Sequence, residues 1–129
     1  MRAMELGSPD EMRDRLNSLV LAGRKTATTG LLAEYAEETE GLEFAGECLA
    51  LLDNDGRRVA TLEITGVERT SFAGVTWDHA LAEGEGDTSL EEWRAGHRRF
   101  WEREGTPVDD DTPLVCLTFR VVATAGAQP

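Results

Sequence analysis

Cysteines and long apolar runs are scarce in this chain, and each scarcity excludes a class of protein. The two cysteines, Cys48 and Cys116, lie far apart in strand-like apolar runs, so they form neither a disulfide framework nor a zinc-binding pattern. We expect free buried thiols in a reducing cytoplasm, with one disulfide as the alternative. No apolar run approaches the roughly 20 residues of a membrane helix. The N-terminal residues also have no pattern of a secretory signal, so we expect a cytoplasmic protein with no membrane partner.

Basic residues are scarce as well, since 13 Lys and Arg stand against 25 Asp and Glu, a net charge of −12. This balance argues against a general binder of duplex DNA, because phosphate neutralisation supplies most non-specific affinity. It leaves room for a nucleoside ligand or a local basic cleft. The 129 residues, of which 40% are hydrophobic and 29% charged, fit one domain. We expect that domain to span residues 1–129, with a disordered tail from about residue 124.

Two stretches predict strands of one small sheet. Within residues 47–67, Asp55-Gly56 marks a turn, and apolar residues alternate with polar ones after it. Residues 113–122 are rich in β-branched side chains. Helix signals fall between these strands, so we expect an α+β fold with a small sheet or barrel.

Helix signals occur in four places. The stretch "SPDEM" predicts a start with Ser8 as the capping residue, and Gly23 predicts the end of that helix. The stretch "LLAEYAEETE" predicts a second, short helix. Thr76 and Thr88 are each expected to cap a further helix, and the last of these packs on the sheet.

The stretch "GRKTATT" places two cations and three threonines directly after the first helix. On spacing alone, Lys25 is a solvated residue that favours the helix dipole, and the threonines reflect β-propensity. The functional alternative makes Thr28 a nucleophile or a ligand hydroxyl, with Lys25 lowering its proton affinity or accepting its proton. Positions three apart in a regular strand face opposite sides. The two side chains therefore meet only if the backbone turns between them.

The stretch "AEGEGD" alternates three carboxylates with two glycines. The glycines permit unusual backbone conformations and close approach of a ligand. Glu83, Glu85 and Asp87 are thus candidates for a general base, an amine-binding group or a Mg²⁺ site. A solvated loop before a helix is the alternative for Glu83 and Asp87. For Glu85, which has glycine on both sides, the two interpretations stay open.

The last predicted helix carries His97 in the middle of its apolar stripe. A half-buried core histidine is the structural interpretation, and a ligand contact is the functional one. Arg94 lies beside the stripe and could give the site a positive rim. Trp77 could stack on a base, whereas we expect Trp93 and Trp101 in the core.

Three stretches taken together resemble the ASCH domain family, the activating-signal-cointegrator homology domains. They are "LAGRKTATT" with its G-x-K-x-x-T pattern, "DHALAEGEGDTSLEEW" and "HRRFW". By their order and spacing, the resemblance covers roughly residues 10 to 122. The resemblance implies a PUA-like fold, which is a small β-barrel with flanking helices and a cleft between them. It also implies RNA or nucleoside ligands.

Some short bacterial members of that family resemble amidohydrolases that remove an acyl group from N4-acylated cytidine. Their Lys and Thr fall on Lys25 and Thr28 of this chain, and their Glu falls on Glu85, with Glu83 as the alternative. Those enzymes have a basic residue soon after the Thr, where Thr29-Gly30 stands here. A Lys, Thr and Glu set suits acyl transfer without a metal or other cofactor. The residues expected to contact substrate are Arg24, Thr26, Trp77, Glu83, Arg94 and His97.

Other members of the family resemble metal-dependent ribonucleases or proteins that only bind RNA. The sequence therefore leaves three interpretations: an amidohydrolase of acylated nucleosides, a non-enzymatic RNA- or nucleoside-binding module, and a Mg²⁺-dependent ribonuclease. In all three the expected partner is a small nucleoside or short RNA and not duplex DNA.

Overall fold

The computed structural model describes residues 1–37 and 39–125, and its centre is a five-stranded sheet curled into a half-barrel. The strands are β1 (Arg2–Met4), β2 (Ala27–Leu31), β3 (Cys48–Leu52), β4 (Arg58–Ser71) and β5 (Pro113–Thr124). Their order in the sheet is β1-β3-β4-β5-β2, with β1 and β3 parallel and the other neighbours antiparallel. This confirms the expected α+β class and the PUA-like small barrel with flanking helices.

Strands β3 and β4 form the predicted hairpin, and β4 continues as the long central partner of β5. The turn is closed by the Asp53 carboxylate, which accepts from the backbone N–H groups of Asp55 and Arg57, while Gly56 has a φ of 76°. The β4–β5 register shifts twice, between Thr61 and Leu62 and again after Ile64. Such irregularities bend a strand and increase its twist, so they contribute to the curling of the sheet.

Three α-helices flank the sheet: α1 (Glu11–Leu21), α2 (Trp77–Glu83) and α3 (Leu90–Arg103). The stretch expected to form the short second helix is a 3-10 helix over Leu32–Glu37, and residue 38 lies outside the described residues. A second 3-10 helix covers Phe72–Gly74.

The helix caps agree with the sequence only in part. Thr76 caps α2 as predicted, since its hydroxyl accepts from the His79 N–H. The α3 cap is Ser89, one residue after the predicted Thr88. The Ser8 prediction is wrong, because α1 begins after Asp10, whose φ is 77° and whose side chain makes no capping bond. A tertiary contact overrides the local signal there, as the Asp10 N–H donates to the side chain of Asn54 at 2.7 Å.

Two hydrophobic clusters fill the molecule, and successive residues of β5 alternate between them. The first packs α1 against the half-barrel through residues such as Leu16 and Val20. The second packs α2 and α3 against β2 and β5 and contains the buried Trp93 and Trp101, as expected. Side chains from both clusters meet around one cleft, which contains the candidate site.

The chain ends differ in part from the sequence-based expectations, whereas the cysteines are free as expected. The short β1 has no counterpart in the sequence-based predictions, and β5 runs through Thr124, while the rest of the expected tail, residues 126–129, lies outside the described residues. Both cysteines are free, and burial raises the pKa of the Cys116 thiol to about 12. Among the described residues, no helix is both long and apolar enough to cross a bilayer.

Candidate active site

The turn between α1 and β2 directs Lys25 into the protein. The backbone N–H groups of Arg24 and Lys25 both donate to the Leu19 carbonyl, at 2.9 and 3.1 Å, after Gly23 has ended the helix with a φ of 76°. This irregular turn comes before the regular strand β2, so the face rule for strands does not separate Lys25 from Thr28. Lys25 is only 2% exposed, so it is not the solvated helix-end cation that spacing alone suggests.

The end of α2 and the loop that follows it pack directly on the turn between α1 and β2. The backbone N–H of Thr26 donates to the Ala82 carbonyl at 2.8 Å, and the Thr26 hydroxyl donates to the same oxygen. Gly84 then adopts a φ of 64°, and a Cβ atom at this position would lie 1.9 Å from the Arg24 carbonyl oxygen. Only glycine fits this contact. The first glycine of "EGEG" thus determines how closely the two motifs approach.

This contact places Lys25 and Glu85 in a hydrogen-bonded ion pair. Their Nζ and Oε2 atoms are 2.7 Å apart, and the two side chains are 1% and 17% exposed. Arg15 on α1 donates to the Glu85 backbone carbonyl at 2.7 Å and so holds the loop in place. The Thr28 side chain lines the same cavity, and among the described residues its hydroxyl has no hydrogen-bond partner.

The cavity has a volume of about 230 Å³ and adjoins a second hollow of about 430 Å³. Five residues line both: Gly7, Thr28, Thr29, Phe100 and Trp101. The first hollow carries the Lys25–Glu85 pair and His97, whereas the second is lined by four glutamates and, among the described residues, by no basic side chain. The two together form a cleft with Thr28 at the boundary.

Glu83 is a buried carboxylate with donors on both oxygens. Oε1 accepts from the Trp93 indole at 3.1 Å and lies 3.3 Å from His97 Nε2. Oε2 accepts from the Thr29 hydroxyl and lies 3.3 Å from His79 Nε2. Its side chain is 2% exposed, so the solvated-loop alternative is wrong for this residue.

His97 lies between two hydrogen-bond acceptors. Its Nδ1 is 2.9 Å from the Trp93 carbonyl oxygen, and its Nε2 faces the Glu83 carboxylate. Both nitrogens donate only in the imidazolium form. Burial lowers the pKa of His97, but the hydrogen bond and charge of Glu83 raise it above the ordinary value. Burial likewise opposes the charge of Glu83, yet His79, His97 and Lys25 hold the pKa of that carboxyl well below its usual range.

Asp87 lines the same cavity as Glu85. Burial raises its pKa, and the negative charges of Glu92 and Glu83 act in the same direction, against His97 and Arg15. Among the described residues no group of three or more His, Cys, Asp or Glu side chains is arranged to hold a metal ion.

The structure brings five of the predicted site residues to the cavity and leaves four outside. Lys25, Thr28, Glu83, Glu85 and His97 line it. Arg24 and Thr26 are exposed, Arg94 donates to the Ala73 carbonyl, and Trp77 packs against the second hydrophobic cluster. The residues that do not line the cavity are thus Arg24, Thr26, Trp77 and Arg94.

Sequence reasoning missed Thr29, His79 and Arg15. His79 precedes Glu83 by four residues on α2, and Trp93 precedes His97 by four on α3. This spacing places each pair on one helix face. It could have indicated that His79, Trp93 and His97 lie close to Glu83. Arg15 carried no signal, because its partner is a backbone carbonyl 70 residues away.

A half-barrel of mixed strands with flanking helices and a cleft beside them is the architecture of PUA-like domains. The ASCH domain family model matches residues 2–123, and the chain therefore belongs to the ASCH domain family. Comparison with curated protein sequences finds no match.

Two solved structures resemble this chain along most of its length. An ASCH domain from Lactobacillus crispatus JV V101 is 31% identical with a TM-score of 0.82, and the match covers 95% of this chain and 79% of that one. A protein from Enterococcus faecalis V583 is 31% identical with a TM-score of 0.83, covering 100% of this chain and 84% of that one.

A more distant ASCH protein from Zymomonas mobilis shares the fold alone. It is 8% identical with a TM-score of 0.54, over 83% of this chain and 63% of that one.

Proposed function

We propose that this ASCH domain is a metal-independent amidohydrolase that removes an N-acyl group from a cytidine-like nucleoside. The observation that carries the proposal is the buried Lys25–Glu85 ion pair, which shares a cavity with the unengaged hydroxyl of Thr28. A nucleophile, a proton acceptor and a fixed positive charge are the three groups that acyl transfer requires. The family resemblance supplies the substrate class.

The ion pair suggests which group takes the proton. Lys25 is bonded to a carboxylate as an ammonium group, so Glu85 is the base in our mechanism. When the Thr28 oxygen attacks the acyl carbon, its proton passes to Glu85 and the carbonyl oxygen becomes an oxyanion. The negative charge has then moved from Glu85 to that oxygen, while the Lys25 ammonium remains next to it. This fixed charge stabilises the transition state.

The second half of the reaction returns both groups to their starting forms. Protonated Glu85 gives its proton to the leaving amino nitrogen as the C–N bond breaks, which leaves an acyl ester on Thr28. Glu85 then accepts a proton from water, whose oxygen attacks the ester, and returns that proton to the Thr28 oxygen. The products are the free nucleoside and a carboxylic acid, and atoms and charge balance.

The cleft favours a neutral nucleoside over a phosphate chain. The hollow next to the Lys25 cavity is lined by carboxylates, and the charge of Lys25 is already paired with Glu85. Phe100 and Trp101 line both hollows and offer apolar surface for a base. We therefore propose a small nucleoside as the partner in place of long RNA, duplex DNA or a membrane.

The test is the release of cytidine from N4-acetylcytidine and related N4-acyl cytidines, with and without EDTA. We expect release that EDTA does not change and that Thr28→Val abolishes. Binding of these compounds with no release would favour the non-enzymatic nucleoside-binding module. Release that EDTA abolishes would contradict the metal-independent mechanism and favour a metal-dependent enzyme.

A further inference from the structure

The chain has two histidines, and both contact Glu83, but only His97 also lines the cavity. Its side chain is 19% exposed. Its ring stacks on Trp93 with centroids 3.9 Å apart and planes 22° apart, which fixes its orientation. One face of the His97 imidazole therefore packs on the buried Trp93, while His97 also lines the cavity.

The hydrogen-bond partners of His97 determine whether it offers the cavity a free N–H group or only a positive charge. Nδ1 faces a backbone carbonyl and Nε2 faces a carboxylate, and neither partner has a proton to give. When both ring nitrogens donate to these acceptors, His97 has no N–H left for a ligand and acts through its charge. The other charged groups that face this part of the cavity are Arg15 on α1, Lys25 before β2, Glu83 on α2, Glu85 and Asp87 in the following loop, and Arg103 on α3.

We infer that His97 is a positioning residue. It is held as an imidazolium whose positive charge offsets the negative charge of Glu83, so that Glu83 does not impose a negative field on the Lys25–Glu85 pair. Two ion pairs then line the cavity, His97 with Glu83 and Lys25 with Glu85. The catalytic consequence rests on the proposed function, whereas the protonation of His97 does not.

Loss of the His97 proton removes a positive charge that offsets Glu83 beside the reacting groups. That negative field favours the protonated form of Glu85 and opposes the oxyanion that forms on the acyl group. It also leaves one ring nitrogen without a proton against an acceptor, either the Trp93 carbonyl or the Glu83 carboxylate, which weakens the hold on the ring. Turnover should therefore fall at high pH with the titration of His97, although His97 does not touch the reacting atoms.

The direct experiment is an NMR titration of the imidazole nitrogens in ¹⁵N-labelled full-length protein. Only two histidines contribute signals, and His79→Gln assigns them. We expect His97 to titrate at a higher pH than the histidines of the same protein unfolded in urea, and to be mostly doubly protonated near the ordinary histidine pKa of about 6.5. A neutral His97 in the folded protein at that pH overturns the inference.

Glu83→Gln tests the cause of the shift, with Glu91→Gln on the exposed face of α3 as the matched control. We expect the His97 midpoint to fall in the first variant and to stay in the second. An unchanged midpoint in a folded Glu83→Gln protein overturns the role of Glu83. If that variant does not fold, the wild-type titration still decides the protonation of His97.

The activity arm uses N4-acetylcytidine. His97→Gln should lower kcat roughly tenfold, leave KM nearly unchanged and remove the fall in rate at high pH, whereas His79→Gln should lower kcat less. A merely structural role would leave the shape of the pH profile unchanged, and that result contradicts the inference. Absence of turnover in the wild-type protein would refute the proposed function, and the NMR result would stand independently.

Discussion

Glu83 and Glu85 are two residues apart in the chain but lie in contrasting surroundings. Glu83 ends a helix, is almost fully buried and accepts hydrogen bonds on both oxygens from residues of β2 and α3. Glu85 lies in a glycine-flanked loop, is partly exposed and bonds one partner, Lys25. A carboxylate whose acceptor positions are all filled holds structure together, whereas one with a single partner and an open edge is able to exchange a proton.

The difference also divides the expected effects of substitution. Changes around Glu83 should act first on the free energy of unfolding, because they leave buried donors without acceptors. Changes to the Lys25–Glu85 pair should act first on turnover. Substitutions can therefore show whether the surroundings of Glu83 and the Lys25–Glu85 pair act separately.

Among the substitutions that separate the two carboxylate regions, the largest expected effect is that of Lys25→Met on turnover. The apolar stem keeps its packing but the charge that faces the oxyanion is lost, so kcat should fall about 10³-fold. Stability should also fall, since removing one partner of a buried ion pair leaves the Glu85 carboxylate without its cation, so kcat is compared per folded protein. Arg24→Met is the matched control, because Arg24 is adjacent but exposed and does not line the cavity. Equal losses in the two variants would refute the role of Lys25.

Glu83→Gln should destabilise the protein more than Glu85→Gln does. The amide at position 83 cannot satisfy the donors around it, and we expect a loss of about 3 kcal/mol in the free energy of unfolding. Glu85→Gln keeps an oxygen that accepts from Lys25 at a partly exposed site, and we expect a loss of about 1 kcal/mol in the free energy of unfolding. Urea unfolding of both variants measures the difference. A larger loss for Glu85→Gln would reverse the assignment of the two carboxylates.

Gly84→Ala should affect both regions, because Gly84 lies between them. A Cβ atom there meets the Arg24 carbonyl at 1.9 Å and the backbone is left-handed, so we expect a loss of about 2 kcal/mol or more. Gly86→Ala is the control, since its φ is also positive but no atom lies within 4 Å of the added carbon. That variant should lose about 1 kcal/mol. Thermal unfolding with similar losses for the two would show that the close contact is unimportant.

The smallest expected effect is the dependence of stability on pH. His97 has a raised pKa in the folded protein, so its contribution is complete below the unfolded value and is lost as pH rises through the folded one. Glu83 has a lowered pKa, so its contribution is present above the unfolded value and is lost as pH falls through the folded one. Stability should be highest between these limits. Denaturation of His97→Gln should show a weaker decline on the alkaline side, and an unchanged decline would assign it to another group.

The sequence predicted the main strands and the last two helices because their patterns are local. The alternation after Asp55-Gly56 and the capping threonine at position 76 need no distant partner to be recognised. The start of α1 depends on Asn54, and β1 has only three residues that pair with β3. Neither leaves a local signal, so the sequence-based prediction of these elements was wrong or absent.

The candidate site could be predicted in its parts but not in its arrangement. The motifs led to Lys25, Thr28 and Glu85, and the structure places all three in one cavity. The sequence could not show whether Glu83 or Glu85 pairs with Lys25. That choice depends on the left-handed conformation of Gly84 between them and on its close contact with the Arg24 carbonyl. Arg24 and Arg94 looked like binding residues by charge alone, but the turn and a backbone carbonyl direct them elsewhere.

The most direct test of the central claim is a crystal structure of the Thr28→Val variant with N4-acetylcytidine. Valine has nearly the shape of threonine but no hydroxyl, so the substrate should remain intact in the cleft. We predict that the acyl oxygen lies within hydrogen-bond distance of Lys25 Nζ and that the acyl carbon faces residue 28. A complex in which the acyl group lies in the glutamate-lined hollow, away from Lys25, would contradict the proposed reaction.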